Sequence, residues 1–160
     1  PKCTIEVLTP DFQGDKNALK TVFDSKPDIF SHNVECVERI SKGVRAQANW
    51  QRSLDVLKES INYGLRTKTG IMVGLGETEK EIKDTMTQIV DLGVQIFTIG
   101  QYLQPTKKHL KVEQYVPKEK FDEYKIFGES IGFKIVESGP LVRSSYRADE
   151  QARTIFSSNE

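Results

Sequence analysis

Short runs of β-branched and apolar residues alternate along this chain with segments in which apolar residues recur every three or four positions. After the first run, Leu19, Val22 and Phe23 have the spacing i, i+3, i+4 that places side chains on one face of a helix. A similar spacing recurs over residues 50–63. Strand-like runs that alternate with helical patterns are typical of parallel βαβ units. The pattern therefore predicts an α/β fold with parallel strands.

The same pattern gives the order of the elements. The strand candidates are, in chain order, CTIEVLTP, DIFSHNVE, TKTGIMVGLGE, VQIFTIGQYL and FKIVESG. Helices are predicted after Asp15, over 50–63, from Thr78 to Gly93 and near 118–131. The third helix begins with Thr78 and Glu81 in the register of a capping box. Only about four strands precede the last helix, which is too few to close an eight-stranded barrel. We therefore expect the chain to be the C-terminal portion of something larger.

Charge and cysteine content narrow the classes of function. The 160 residues carry 23 basic and 23 acidic side chains, so no global field would recruit nucleic acid or an anionic membrane. No run approaches the roughly 18 to 20 apolar residues that a membrane-spanning helix needs, and the first residues lack the pattern of a signal peptide. Cys3 and Cys36 form neither a disulfide framework nor a metal site by themselves. We expect a soluble intracellular protein.

Candidate ligand-binding residues follow the predicted strands, since functional side chains of such folds gather at the carboxyl ends. In SHNVE, Asn33 and Glu35 share one face of an extended chain, where an amide and a carboxylate can hold a vicinal diol such as a ribose. A hydrogen-bonded turn is the alternative. Gly74 and Gly76 allow a flat ligand to approach closely. Because Glu77 follows them where a Walker A loop has lysine, the pattern favours adenine or ribose over phosphate.

Two further groups are candidates for ligand binding. Arg45 and Arg52 lie near a predicted helix start, where an arginine fork could bind a carboxylate, or they could form a solvated helix face. Loops carry a large share of binding residues. The strand end and loop QYLQPTKKHL offer Gln101, Tyr102, Gln104 and His109.

Several stretches together resemble the lipoyl synthase family of the radical S-adenosylmethionine superfamily. They are PDFQGD, FSHNVE, VRAQANWQRSL, TKTGIMVGLGE, GQYLQPTKKHL, YVPKEKFDEY and GPLVRSSYRADEQA. The resemblance covers nearly the whole chain, and its most specific features are the order of the stretches and the terminal RSSYRA. It implies the C-terminal part of a partial (β/α)6 radical-SAM barrel over residues 1–116. A C-terminal helix and a tail carrying RSSYR would occupy residues 117–160.

The resemblance also implies a reaction and its cofactors. Members of this family insert sulfur at C6 and C8 of a protein-bound octanoyl group, using S-adenosylmethionine and two 4Fe-4S clusters. One cluster is bound by a CxxxCxxC motif, and the auxiliary cluster supplies the sulfur. By the family pattern, Ser145 is a ligand of the auxiliary cluster. Arg143 and Arg147 could lower the cost of a serinate there and offset the charge of the cluster.

By similarity to related radical enzymes, five residues are assigned to S-adenosylmethionine. Asn33 and Glu35 would hold its ribose and Arg45 its carboxylate. The strand ends at Gly74 and Gln101 would pass beside the adenosyl group.

Implied partners are octanoylated lipoyl-carrier domains, namely the glycine cleavage H protein and the E2 subunits of 2-oxoacid dehydrogenases, and an electron donor such as ferredoxin or flavodoxin. No nucleic-acid or membrane partner is expected. The implied location is the bacterial cytoplasm, or a mitochondrion or plastid if the source is eukaryotic.

The chain departs from the family pattern in its cysteines, because neither cluster motif is present. We therefore expect these 160 residues to be catalytically inert alone and the full-length enzyme to be active. Two other hypotheses stay open at this point. One is a non-catalytic binding module that recognises a carrier domain or a nucleotide. The other is an aldolase-like barrel enzyme, which would need a Schiff-base lysine such as Lys68.

Overall fold

A single parallel sheet organises the described part of the chain. The computed structural model describes residues 3–47 and 49–157, and these contain one sheet of five strands that lie side by side in chain order. All four neighbouring pairs are parallel. The strands are β1 (Glu6–Leu8), β2 (Ile29–Ser31), β3 (Thr67–Val73), β4 (Ile96–Gln101) and β5 (Ile135–Gly139). The predicted α/β class with parallel strands is confirmed.

Helices connect the strands. They are α1 (Lys16–Asp24), α2 (Glu38–Val44), α3 (Trp50–Asn62), α4 (Glu79–Asp91), α5 (Lys118–Ile131) and α6 (Ala148–Ser157), with a 3-10 turn at Phe12–Gly14. Four of these helices match the predicted segments. The capping box of Thr78 and Glu81 begins α4 as expected, with both reciprocal hydrogen bonds formed. The hydrophobic pattern does not predict α2 or α6.

The two faces of the sheet are covered differently, because side chains alternate along each strand. On one face, Phe97 of β4 belongs to the main hydrophobic core together with Leu57 of α3 and Met86 of α4. We call the opposite face the inner face. There, Ala152 and Ile155 of α6 pack with the first residues of β2, β4 and β5. This cluster covers the part of the inner face where the strands begin and does not reach the part near their carboxyl ends.

The strand order has the form of a barrel wall, in which parallel strands follow one another without reversal and helices cover the outside. This arrangement agrees with the expected partial barrel. The strand β5, which follows the expected domain boundary at residue 116, pairs with β4, which precedes it. One sheet therefore spans that boundary, and the division into two domains stays a prediction. Among the described helices, none combines the length and the apolar character needed to cross a bilayer.

Candidate functional site at the carboxyl ends of the strands

A small cavity lies on the inner face near the carboxyl ends of β3 and β4. Its volume is about 130 Å³. We call the segment between β5 and α6, residues 140–147, the tail. The cavity is lined by residues of the loop after β2, of β3, of β4 and of the tail, including Asn33, Glu35, Met72, Thr98, Arg143 and Ser144. The cavity therefore brings the SHNVE stretch next to the RSSYR segment, although the two are far apart along the chain.

Asn33 presents an unpaired polar atom in this region. Its Oδ1 atom is buried and has no hydrogen-bond partner among the described residues. A buried oxygen without a donor costs free energy, on the order of 1–3 kcal/mol. A bound group with a hydroxyl donor would remove that cost. Asn33 and Glu35 line the same cavity. They do so from the loop after β2, which ends at Ser31, and not as alternate residues of the extended strand that the sequence predicts.

The backbone holds Glu35 in place. Its N–H donates to the carbonyl of Gly70 at 3.1 Å, and its carbonyl accepts from the N–H of Met72 at 2.8 Å. The φ angle of 74° lies in the left-handed region, which strains a residue other than glycine by about 1 to 3 kcal/mol. Burial raises the pKa of the Glu35 carboxyl, and the nearby Arg45 guanidinium only partly offsets this. The loop thus fixes a half-buried carboxylate beside the cavity.

Arg45 lies between this cavity and a larger one of about 470 Å³. Its Nη1 atom is 3.9 Å from Glu35 Oε1, and its side chain also lines the larger cavity. Arg52 lines that cavity too, but its Nε atom donates to Asp11 Oδ2 at 2.7 Å. The two arginines do not form the predicted fork at one helix start, since Arg45 is the C-cap residue after α2 and Arg52 lies in the first turn of α3. Arg45 is the more available of the two for a ligand carboxylate.

The glycine-rich end of β3 is occupied by the chain itself. The Glu77 carboxylate accepts hydrogen bonds from the backbone N–H groups of Gly74 and Leu75. Gly74 has a φ of 101°, and a Cβ atom there would overlap the Gln101 amide and the Gln114 carbonyl. These N–H groups are therefore not free for a phosphate, in agreement with the expectation from Glu77.

Gln101 is also engaged within the chain. The residue is buried, and its Nε2 atom donates to the carbonyls of Tyr102 and Gln114, both at 3.0 Å. Its Oε1 atom accepts from the N–H of Val116 at 2.9 Å. Gln101 therefore fastens the loop after β4 to the end of that strand. His109 lies in the same loop, where its Nδ1 atom is 2.9 Å from the Thr106 hydroxyl.

The tail crosses the inner face beside the cavity. Gly100 of β4 has no side chain, and the carbonyl of Val142 lies where a Cβ atom would be. The carbonyl of Ser144 accepts a hydrogen bond from Lys68 Nζ at 2.5 Å. Ser145 is exposed, and none of the described residues hydrogen-bonds to its hydroxyl. The tail therefore faces the sheet through its backbone, and the Ser145 hydroxyl has no partner in the part of the chain that the structure describes.

Lys68 does project onto the inner face, as the aldolase-like hypothesis requires. Its Nζ atom, however, forms an ion pair with Glu6 Oε1 at 3.0 Å, and its side chain is completely buried. A lysine that acts as a Schiff-base nucleophile has to be a neutral amine. The observed pairing therefore favours a structural ammonium group over a nucleophile.

Three residues that shape this region are not predicted from the sequence. They are Glu6, Thr98 and Gly100, which line the inner face or support the tail. Their only sequence signal is the period-two alternation that assigns them to the same face of their strands.

The described residues do not by themselves form a site for an iron-sulfur cluster. Within residues 3–47 and 49–157, no three side chains of His, Cys, Asp or Glu come together in a way that could hold a metal ion. Cys36 is buried and Cys3 is exposed. Iron-sulfur clusters are normally held by several thiolates. The unpaired oxygen of Asn33 fits a ligand with hydroxyl donors, whereas Ser145 could supply only one of the ligands of a cluster.

Comparisons with known proteins show what the chain is similar to. The sequence profile of the Radical SAM superfamily matches residues 1–89. The chain is 54% identical over 153 residues to a lipoyl synthase of Rubrobacter xylanophilus, covering 94% of the chain and 48% of that protein. It is 50% identical over 151 residues to a lipoyl synthase of Leptospira interrogans, covering 94% and 50%. It is 55% identical over 150 residues to a chloroplastic lipoyl synthase of Ostreococcus lucimarinus, covering 91% and 46%. The chain thus spans about half the length of the curated relatives it matches.

Proposed function

Because this chain belongs to the radical SAM superfamily, we propose that it supplies about half, the C-terminal half, of a lipoyl synthase. The proposed reaction is the insertion of two sulfur atoms, at C6 and C8, into an octanoyl group attached to a carrier protein. The proposal rests on the cavity in which Asn33 and Glu35 meet the RSSYR segment. Ser144, the neighbour of Ser145 in the sequence, lines this cavity together with these two side chains.

In this proposal Asn33 and Glu35 bind the ribose of S-adenosylmethionine. The buried Oδ1 atom of Asn33 lacks a donor, and a ribose hydroxyl would supply one. The Glu35 carboxylate accepts from the neighbouring hydroxyl. Small-molecule pockets usually exceed about 300 Å³, so the cavity of about 130 Å³ fits a sugar ring and not a whole nucleoside. The rest of the cofactor would extend beyond it.

Arg45 is the proposed partner of the carboxylate of S-adenosylmethionine. Its guanidinium is next to Glu35 and also borders the larger cavity, so a ligand held at Glu35 can extend toward it. Arginine suits this role because it can donate two parallel hydrogen bonds to a carboxylate. The strand ends at Gly74 and Gln101 are proposed to flank the adenosyl group, with their internal hydrogen bonds fixing the shape of that edge.

Ser145 is the proposed oxygen ligand of the auxiliary cluster. The chemistry that the bound S-adenosylmethionine and two 4Fe-4S clusters supply is hydrogen abstraction from unactivated carbon and delivery of sulfur, which no side chain can perform. The exposed hydroxyl of Ser145 is free to act as a ligand. One hard oxygen among thiolates marks a single iron as different from the others. Arg143 and Arg147 flank this position in the sequence, and their positive charges would favour an ionised serine.

The remaining cluster ligands are proposed to come from residues outside this sequence, since the sequence has only two cysteines and no CxxxCxxC motif. We accordingly infer that the 160-residue chain alone is inert. When it is reconstituted with iron and sulfide, we expect no 5′-deoxyadenosine from S-adenosylmethionine. Formation of 5′-deoxyadenosine by the isolated chain would contradict this inference.

The proposed partners follow from the reaction. They are octanoylated carrier domains, such as the glycine cleavage H protein and E2 subunits of 2-oxoacid dehydrogenases, and a reductant such as ferredoxin or flavodoxin. The bacterial cytoplasm or an organelle is the proposed location, and the printed names of the relatives include a chloroplastic one.

The test of this proposal compares two adjacent serines in the full-length enzyme. Ser145→Ala should abolish lipoyl formation on an octanoylated H protein, while S-adenosylmethionine is still cleaved to 5′-deoxyadenosine. Ser144→Ala is the matched control, because the sheet contact of Ser144 uses its backbone carbonyl and not its hydroxyl. Ser144→Ala should retain most of the lipoyl formation. Normal lipoyl formation by Ser145→Ala would contradict the ligand assignment.

A further inference from the structure

Lys68 is a completely buried lysine on the inner face of β3. Lysine is almost never fully buried unless it is paired. Its Nζ atom is 3.0 Å from Glu6 Oε1 and 3.1 Å from Glu6 Oε2, and it donates to the carbonyl of Ser144 at 2.5 Å. Three parts of the chain that are distant in sequence, namely β1, β3 and the tail, therefore meet at one ammonium group.

A buried ion pair of this kind is weak evidence for stability, because the cost of removing two charges from water offsets their attraction. The clearest effect of the ion pair is to hold the segments that meet at Lys68 in fixed positions. The ammonium has three donors, and after pairing with Glu6 it still needs an acceptor, which the Ser144 carbonyl provides. A second contact supports the same arrangement, because the absence of a side chain at Gly100 lets the Val142 carbonyl approach β4.

Within residues 3–47 and 49–157 the hydroxyl of Ser145 has no hydrogen-bond partner, so its place is set by its neighbours in the chain. On the N-terminal side, the preceding carbonyl is held by Lys68. On the C-terminal side, the N–H of Tyr146 donates to the carbonyl of Arg143 at 2.9 Å and closes a turn around the two serines. The turn is therefore tied to the sheet at one point by a charged hydrogen bond.

We propose that Lys68 is a positioning residue for segment 143–146: neutralised by Glu6, it holds the Ser144 carbonyl on the sheet and thereby fixes where the Ser145 hydroxyl is presented. The inference rests on the proposed function, in which that hydroxyl is a cluster ligand. It gives a role to Lys68, a buried charged residue that is not among the proposed cofactor-binding residues. It also explains why Ser144 contributes through its backbone while its neighbour contributes a side chain.

The first experiment measures amide hydrogen exchange in the full-length enzyme. Lys68→Met alone leaves the Glu6 carboxylate half-buried without a partner and could unfold the chain, so the decisive variant is the double replacement Lys68→Met with Glu6→Gln. In that variant, peptides covering 141–147 should exchange roughly tenfold faster or more, the factor expected when a hydrogen bond to a charged group is lost. Peptides of α4 should be unchanged. Lys80→Met, which removes an exposed ion pair of α4, is the control and should leave 141–147 unaffected.

Unchanged exchange of 141–147 in the folded double variant would overturn the proposal. A uniform increase over the whole chain would also overturn it, because it would mean that the pair contributes only general stability.

The second experiment records electron paramagnetic resonance spectra of the full-length enzyme with both clusters reduced. The double variant should alter the signal of the auxiliary cluster in the same direction as Ser145→Ala, while the signal of the other cluster is unchanged. A merely structural role of Lys68 would leave both signals alone or weaken them together, and either outcome would overturn the proposal.

The two experiments separate this inference from the proposed function. If Ser145→Ala itself leaves the auxiliary signal unchanged, the ligand assignment fails. The exchange rates of 141–147 then still decide whether Lys68 holds the segment.

Discussion

Adding one methyl group at Gly100 should displace the tail from the sheet. A Cβ atom at this position would overlap the carbonyl oxygen of Val142 and lie 3.1 Å from Arg143 Nη1. Ordinary contact begins at 3.4 Å, so the tail must retreat by roughly 1 Å or the strand must yield. Overpacking of this kind typically costs about 1–3 kcal/mol. Gly100→Ala should therefore lower the free energy of unfolding by about that amount.

The assay is urea denaturation followed by circular dichroism, combined with hydrogen exchange of residues 141–147. Gly139→Ala is the matched control, because its Cβ would meet the same Val142 only through a side-chain methyl at 3.4 Å. That control should unfold at the wild-type urea concentration or slightly above it. If Gly100→Ala has wild-type stability and wild-type exchange in the tail, the tail does not lie on β4, and the reasoning about its position is refuted.

Three further predictions concern the rest of the fold. Gly43→Ala should stabilise the chain by about 0.5–1 kcal/mol in urea denaturation, since glycine weakens a helix and the new methyl has room; a loss of stability would contradict this. Hydrogen bonds from the Arg39 side chain and, to a smaller extent, from the Thr78 backbone lower the pKa of Glu81 from 4.5 to about 2. The stability that this carboxylate contributes is therefore present above pH 4.5 and is lost as the pH falls toward 2. Glu81→Gln should flatten that part of the stability–pH curve, and an unchanged slope would contradict the assignment. Burial and neighbouring carboxylates raise the pKa of Cys36 to about 12, so a thiol reagent should modify only Cys3 in the folded chain, and rapid reaction of two thiols would contradict the burial.

Much of the fold could be predicted from the sequence because its signals are local. The helix α4 carries its own start and stop, a capping box at one end and Gly93 at the other. The five strands are apolar runs separated by helical patterns. By contrast, α2 has only seven residues, and the apolar residues Ala152 and Ile155 of α6 find their partners on strands that are distant in sequence. No local pattern predicts such packing.

The same distinction applies to the site. The spacing predicts Asn33 and Glu35 as a pair on one face of an extended strand, and they do line one cavity, but from a loop in which Glu35 has a left-handed φ. The internal contacts of Gln101 and Gly74 could not be predicted, since they depend on where the loop around Gln114 returns to the sheet. The hold of Lys68 on the tail is likewise a contact between distant segments.

The most direct test of the account is the mass of an octanoylated H protein after incubation with the full-length enzyme, S-adenosylmethionine and a reductant. The proposed function requires a product in which two sulfur atoms have replaced two hydrogen atoms of the octanoyl group. It also predicts that this product is absent with Ser145→Ala. Cleavage of S-adenosylmethionine that leaves the octanoyl group unchanged with the wild-type enzyme would contradict the proposed function.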